Sequence, residues 1–220
     1  MIVVTGASDG LGRELARVFV ENGKDVYGLS RSKCEDGVRH ITTDLMDDES
    51  VVNAATQLSR DPERLEALIN CAGVLSVQKI EELTSSEIDR VFDTNIKGLM
   101  LLTSRLMDKI KQDGADIVNV SSTVGTKAYI DQAAYGASKW AVRGFSANLQ
   151  VELKDTPCRV ISFCPGGFES RTFEKATGHK NPAFTFSMKP KDLALFIKQI
   201  LDLPKNMEVS EVIINRKANG

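Results

Sequence analysis

Tyr135 and Lys139 stand four residues apart in a stretch that reads as helical, so their side chains share one face. An ammonium beside a phenol favours the phenolate and lowers a tyrosine pKa from its reference of about 10. That tunes a poor acid toward proton transfer near neutrality. The same lysine could also donate to a ribose hydroxyl. Taken alone the pair says little, because Tyr-x-x-x-Lys arises by chance on many surface helices. Ser121 and Ser122 end a strand-like run thirteen residues before Tyr135, where a hydroxyl could bind a substrate oxygen. Asn95 interrupts the apolar face of a long helical stretch and could hold a water. The plainer readings are serines that cap a turn and an asparagine that faces solvent.

A second set of residues could hold an anion. Thr5-Gly6-Ala7-Ser8-Asp9-Gly10-Leu11-Gly12 lies between an apolar run and a helical one. Glycines at 6, 10 and 12 let the backbone turn tightly and approach a pyrophosphate. The helix that follows offers free N–H groups and the positive end of its dipole, with Ser8, Asp9 and Leu11 in the same turn. The spacing differs from the commonest dinucleotide fingerprint, and a plain tight turn is the alternative. The second strand ends in Leu29-Ser30-Arg31-Ser32, without a carboxylate. An acidic residue there favours NAD, whereas an arginine accommodates a 2′-phosphate. A guanidinium flanked by the hydroxyls of Ser30 and Ser32 suits a phosphate, so NADP (as NADPH) is expected over NAD. A solvated loop arginine is the other reading of Arg31.

The elements that must position these groups alternate from end to end. Strand patterns cover residues 1–5, 25–30, 38–43, 65–70, 117–121, 159–164 and 209–215. A helical stripe runs from Leu11 through Leu15, Val18 and Phe19 to Asn22-Gly23, and further helices are expected at 50–58, 133–153 and about 190–201. Thr84-Ser85-Ser86-Glu87 has the form of a capping box and opens one long helix to Lys111. Alternating βα units specify a parallel sheet covered on both faces, with ligands at the carboxyl ends of its strands. The expected fold is α/β: a single Rossmann-like, doubly wound domain over residues 1–220.

Bulk properties fit that picture. With 220 residues, 42% hydrophobic and 26% charged, the chain can build a core without disulfide or metal staples. A formal net charge of -2 gives no global pull toward nucleic acid or an anionic membrane, and neither is an expected partner. Cys34, Cys71, Cys158 and Cys164 form no C-x-x-C pair and suggest a reducing compartment. His40 and His179 have no second ligand nearby in sequence, so no metal is expected. No segment reaches about 20 uninterrupted apolar residues, and residues 1–5 already read as a strand. A cytoplasmic protein is the expectation.

In order and spacing, these motifs resemble the short-chain dehydrogenase/reductase family over nearly the whole chain. The matching positions are Thr5-Gly6-x-x-x-Gly10-x-Gly12, Asp44-Leu45, Asn70-x-Ala72-Gly73, Asn95, Ser122, Tyr135-x-x-x-Lys139 and Pro165-Gly166. The resemblance implies an NADP(H)-dependent oxidoreductase that moves a hydride between nicotinamide and a small carbonyl or alcohol. It implies Tyr135 as general acid/base, Ser122 orienting the carbonyl, and Lys139 holding the nicotinamide ribose while lowering the tyrosine pKa. Asn95 would support a water-linked proton relay. Asp44 and Leu45 would contact the adenine, while Asn70, Ala72 and Gly73 would line the cofactor cleft. Family spacing to the tyrosine selects Ser122 over Ser121. Cys71 departs from a common second asparagine. Phe168 and Ser170 replace an aliphatic residue and a threonine, though Ser170 can still bond the carboxamide.

Residues 168–189 lack periodicity and read as a substrate lid. Phe168, Phe173, Phe184, Phe186 and Met188 there, with His179 and Lys180 between, point to an apolar substrate portion or to anchors for the loop itself. Tyr129 and Ile130 are further candidates to face substrate. Broad apolar faces on 84–111 and 133–153 suggest a homodimer or homotetramer, as the resemblance also implies. An NADP-binding sensor or scaffold without turnover is the main alternative, and a racemase- or dehydratase-like use of the fold a second. The intact Ser122, Tyr135 and Lys139 argue against the sensor.

Overall fold

A computed structural model of the protein describes residues 1–179 and 188–217. Seven described strands form one sheet: β1 (Ile2–Thr5), β2 (Val26–Ser30), β3 (Arg39–Thr42), β4 (Ala67–Asn70), β5 (Asp116–Val120), β6 (Val160–Pro165) and β7 (Glu211–Ile214). Their order is β3-β2-β1-β4-β5-β6-β7, and each neighbouring pair is parallel. This is the doubly wound arrangement expected, with the order reversing beside β1.

Strand burial follows from position. β1, β4, β5 and β6 are buried at every residue, as strands covered on both faces must be. The edge strand β7 alternates between exposed and half-buried residues. The helices are α1 (Gly10–Glu21), α2 (Asp48–Arg60), α3 (Ser85–Phe92), α4 (Gly98–Asp113), α5 (Ala133–Glu152), α6 (Thr172–Thr177) and α7 (Pro190–Leu201). Leu15, Phe19, Leu193 and Ile197 from α1 and α7 pack under one face of the sheet. Leu58, Leu102, Leu106, Ile110 and Leu149 from α2, α4 and α5 fill the other.

Two expectations need refinement. The helix read from Thr84 to Lys111 runs on without a break, but a π-helical turn, Asp93–Lys97, lies within it between α3 and α4. Two contacts fix this turn. Asn95 is buried and tied to the backbone of Val74. A Cβ on Gly98 would lie 2.3 Å from the carbonyl oxygen of Leu45, so the helix sits directly on that backbone. Thr84 does cap α3, its hydroxyl accepting from the Glu87 amide at 3.2 Å, but the Glu87 carboxylate turns to Arg90.

The stretch read as structureless lid contains α6, which ends at Gly178 with φ 73°. Phe168 is half-buried and bridged to Met188. Lys180, Phe184 and Phe186 lie outside the described residues. No described helix is long and apolar enough to cross a membrane.

Candidate active site

A cleft of about 1020 Å³ opens at the carboxyl ends of the central strands, from the β1–α1 turn to the loop before α5. Gly6 (φ 71°) and Gly10 (φ 52°) adopt left-handed backbone that side chains disfavour. A Cβ on Gly12 would lie 2.4 Å from the Gly6 carbonyl oxygen, so only glycine lets α1 begin this close to β1. Asp9 caps α1 through Oδ1, which accepts from the Gly10 amide at 2.9 Å. Ser8, Leu11 and Gly12 line the cleft beside it, where first-turn amides lack intrahelical acceptors. The turn therefore fits a pyrophosphate.

Asp9 also carries an unforeseen role. Its Oδ2 pairs with Lys175 at 2.6 Å and Arg171 at 3.2 Å, both cleft-lining residues of the α6 segment. Partial burial pushes the Asp9 carboxyl up, but Lys175, Arg171 and the Gly10 amide outweigh it and hold it below its ordinary value. The i,i+4 spacing of Arg171 and Lys175 was visible in sequence, although the helix that gives it meaning was not. Thr5 is another residue whose part went unread: its Oγ1 accepts from the amides of Cys71 and Ala72, both at 3.0 Å, joining β1 to the end of β4.

At the β2 and β3 end of the cleft, Ser30, Arg31, Ser32, Asp44 and Leu45 all line it. Arg31 is exposed and has no ion-pair partner among the described residues. The Ser30 hydroxyl, expected beside a phosphate, instead donates to the Ser32 carbonyl at 2.6 Å and closes its own turn. Asp44 Oδ1 accepts from the Met46 amide at 3.0 Å.

Asn70 does not reach the cleft. It is 1% exposed, and its Nδ2 donates to Thr103 at 3.1 Å and to Asn119 at 2.9 Å, tying β4 to α4 and β5. Cys71 lines the cleft in its place, its thiol pushed up to about 12 by burial while the nearby Lys139 pulls the other way. Ala72 and Gly73 follow it. A Cβ on Gly73 would meet Lys139 Nζ at 3.2 Å and Asn95 Oδ1 at 3.3 Å, which explains the glycine.

Ser122, Tyr135 and Lys139 converge on the centre of the cleft. Ser121 Oγ donates to the Lys139 carbonyl at 2.8 Å and is thereby occupied. Ser122 Oγ accepts from the Val124 amide at 3.2 Å, which leaves its O–H to donate. Lys139 is buried, and its Nζ donates to the Val120 carbonyl at 3.0 Å and lies 5.9 Å from the Tyr135 ring centre. Burial lowers the ammonium to about 8, with Cys71 and Cys164 acting in the opposite sense. Burial likewise raises the Tyr135 phenol, offset in part by the Ser122 hydroxyl. Burial, the largest influence, sets a direction opposite to the depression expected from the lysine. The four-residue spacing puts both on one face, but the ammonium turns to β5.

Asn95 is fully enclosed. Its Nδ2 donates to the Val74 carbonyl at 2.9 Å and Ser138 Oγ at 3.0 Å, and its Oδ1 accepts from the Val74 amide at 2.7 Å. Both N–H groups are used, so the side chain braces Gly73-Val74 and α5 rather than offering a donor to water. Pro165, Gly166, Phe168 and Ser170 line the wall after β6. The Gly166 amide donates to the Ile214 carbonyl at 2.7 Å. Tyr129 lines the substrate end with Lys127 and Gln132, whereas Ile130, 87% exposed, points away from the cleft.

The sequence pattern of the short chain dehydrogenase family matches residues 1–181. An uncharacterized oxidoreductase of Staphylococcus aureus (strain MRSA252) is 28% identical, over 96% of this chain and 95% of its own. Sulfoacetaldehyde reductase 2 of Chromohalobacter salexigens is 30% identical, over 99% and 95%. An alcohol dehydrogenase from the archaeon Thermococcus sibiricus, solved with 5-hydroxy-NADP, has a TM-score of 0.86 at 24% identity, covering 97% of this chain and 94% of that one.

Proposed function

The chain belongs to the short chain dehydrogenase family of oxidoreductases, and we propose that it is an NADP(H)-dependent reductase of a small carbonyl compound. The observation that carries this reading is the convergence of Ser122, Tyr135 and Lys139 in one cleft with the glycine turn of α1. A relative that is a sulfoacetaldehyde reductase and a structural neighbour solved with an NADP derivative support it. Arg31 at the end of β2, with no carboxylate in its turn, supports the phosphorylated cofactor.

Gly6, Gly10 and the first turn of α1 would hold the pyrophosphate. Arg31 would hold the 2′-phosphate, Asp44 and Leu45 the adenine, and Lys139 the nicotinamide ribose. Pro165, Gly166, Phe168 and Ser170 would border the nicotinamide. When bound, the reduced cofactor supplies the hydride to the carbonyl carbon. Ser122 donates its hydroxyl to the carbonyl oxygen and fixes its direction. Tyr135 gives its phenolic proton to the same oxygen as negative charge develops there. A phenol raised by burial suits this direction, because it enters the step protonated. The Lys139 ammonium then lies near enough to stabilise the phenolate that remains. Asn95 keeps Gly73 and α5 in place around that pair.

Side-by-side titration with NADPH and NADH, followed by a carbonyl panel, tests this reading. Tight NADPH binding with weaker NADH binding and turnover of an aldehyde or ketone is the expected result; failure to bind either cofactor removes its foundation. Exposed Met100 on α4 and Trp140 on α5 further support pairing of these helices in a homodimer or homotetramer, which a size measurement at micromolar concentration checks.

A further inference from the structure

Seven basic and three acidic side chains line the described cleft, in a chain whose formal net charge is -2. Most of these cations have evident work. Arg171 and Lys175 meet Asp9, Arg90 is bound by Glu87 at 2.7 and 2.8 Å, and Lys139 rests on the Val120 carbonyl. Arg31 stands at the far adenosine arm. Lys127 is different. It follows Ser122 by five residues and precedes Tyr135 by eight, so it sits on the loop between the two reacting groups. The only partner of its ammonium among the described residues is the Tyr129 ring, 5.4 Å from the ring centre.

Backbone hydrogen bonds tie the loop that carries Lys127 at both ends. The Lys127 amide donates to the Thr123 carbonyl at 3.2 Å, and the Gln78 amide donates to the Asp131 carbonyl at 2.8 Å. Asp131 itself takes a left-handed conformation, φ 58°. Aspartate adopts such backbone readily in turns. At the same end of the cleft, the side-chain amide oxygens of Gln78 and Gln132 are cut off from solvent and have no hydrogen-bond partner. A half-turn of either amide presents N–H donors instead. Lys127, exposed on this loop, and the two glutamine side chains line the same cleft.

We propose that this end of the cleft is an anion subsite and that Lys127 selects the substrate: a short aldehyde or ketone bearing one small oxyanion, a carboxylate or sulfonate. The inference rests on the reductase reading and replaces the apolar substrate portion expected from the lid phenylalanines. Lys127 is exposed, so its ammonium–oxyanion contact separates charged from neutral substrates by roughly 2- to 5-fold.

The test compares the intact protein with Lys127→Ala and Lys127→Glu on ω-oxo acids of two to five carbons, matching oxo-sulfonates, and the methyl esters of the acids. Binding of the corresponding hydroxy acids to the NADP+ complex is measured in parallel by calorimetry. The expected result is a roughly 2- to 5-fold fall in the acid-to-ester ratio of kcat/KM in Lys127→Ala, a larger fall in Lys127→Glu, and a matching loss of hydroxy-acid affinity. The larger effect on acids or on sulfonates tells which oxyanion the subsite takes. An unchanged ratio with esters still reduced overturns the subsite and leaves the reductase intact. Hydroxy-acid binding that depends on Lys127 without turnover of any carbonyl supports the subsite and overturns the reductase. No hydroxy-acid binding to the intact protein overturns the subsite.

Discussion

The Lys139 ammonium donates to the carbonyl of Val120 at 3.0 Å, and this contact ties a buried cation to the end of β5, 5.9 Å from the Tyr135 ring centre. Burial lowers Lys139 to about 8, against about 10.4 for a free lysine. An anionic cofactor beside it favours the charged form and moves the pKa back up. NADPH binding at pH 8 should therefore take up a substantial fraction of a proton, and at pH 6.5 almost none. Calorimetry in two buffers of different ionisation enthalpy reads this directly; equal heats at pH 8 would refute it. The sign for stability is the same in origin. Between pH 8 and about 10.4 the unfolded lysine binds the proton that the folded one has released, so this group's penalty on the cofactor-free protein is full below pH 8 and fades as pH rises.

Tyr135→Phe removes one hydroxyl and keeps the ring that fills the cleft wall. Turnover should fall by about 100- to 10,000-fold, with little change in NADPH affinity. Because burial raises the phenol, the tyrosine is protonated across neutral pH, and the reductive rate should fall from its ionisation only on the alkaline side. Retention of more than a few per cent of turnover by the variant would remove Tyr135 from the chemistry.

Arg31→Ala addresses cofactor choice. Arg31 is exposed and has no carboxylate partner among the described residues, so its removal breaks no ion pair there. Losing a charge-assisted phosphate contact should weaken NADPH by about 10- to 100-fold and leave NADH nearly as before. An unchanged NADPH-to-NADH affinity ratio would show that the 2′-phosphate is held elsewhere or not at all.

The sheet was legible because strands buried on both faces are continuous apolar runs, and those between 65 and 70 or 159 and 164 can be little else. The site's positions were legible for a related reason: each lies at a strand end or on one helical face, where spacing alone fixes location. What spacing could not convey was direction. Ser30 and Asn70 stand where a cofactor contact was expected, yet Ser30 closes its own turn and Asn70 turns into the core toward Asn119. Lys139 shares a face with Tyr135 but faces a carbonyl on β5. The π-turn at Asn95 was hidden because the apolar pattern runs through it, and the cause is the backbone of Val74 and Leu45 on other elements. α6, six residues long, is too short to declare itself by periodicity.

Asp9→Asn isolates the charge that ties α6 to the glycine turn, because asparagine caps a helix as well as aspartate does. A six-residue helix is unstable alone, and its pairs from Lys175 and Arg171 to Asp9 are its visible restraint on the nucleotide side. Both cations are more than 60% exposed, so each pair contributes only about 0–1 kcal/mol. That is too little to move global unfolding and enough to set local opening. Amide exchange in Thr172–Thr177 should quicken by roughly 3- to 10-fold in the variant, with β1, β4 and β5 unaffected. Salt near 0.5 M should quicken the same amides in the intact protein but add little to the variant, since screening removes what the mutation removes. Acid acts in the same direction: Asp9 is held below its ordinary value, so the pairs persist through neutral pH and fail only as pH falls through the low carboxylate range. Equal exchange in both proteins at low salt would mean that α6 is held by its packing, with the charges incidental.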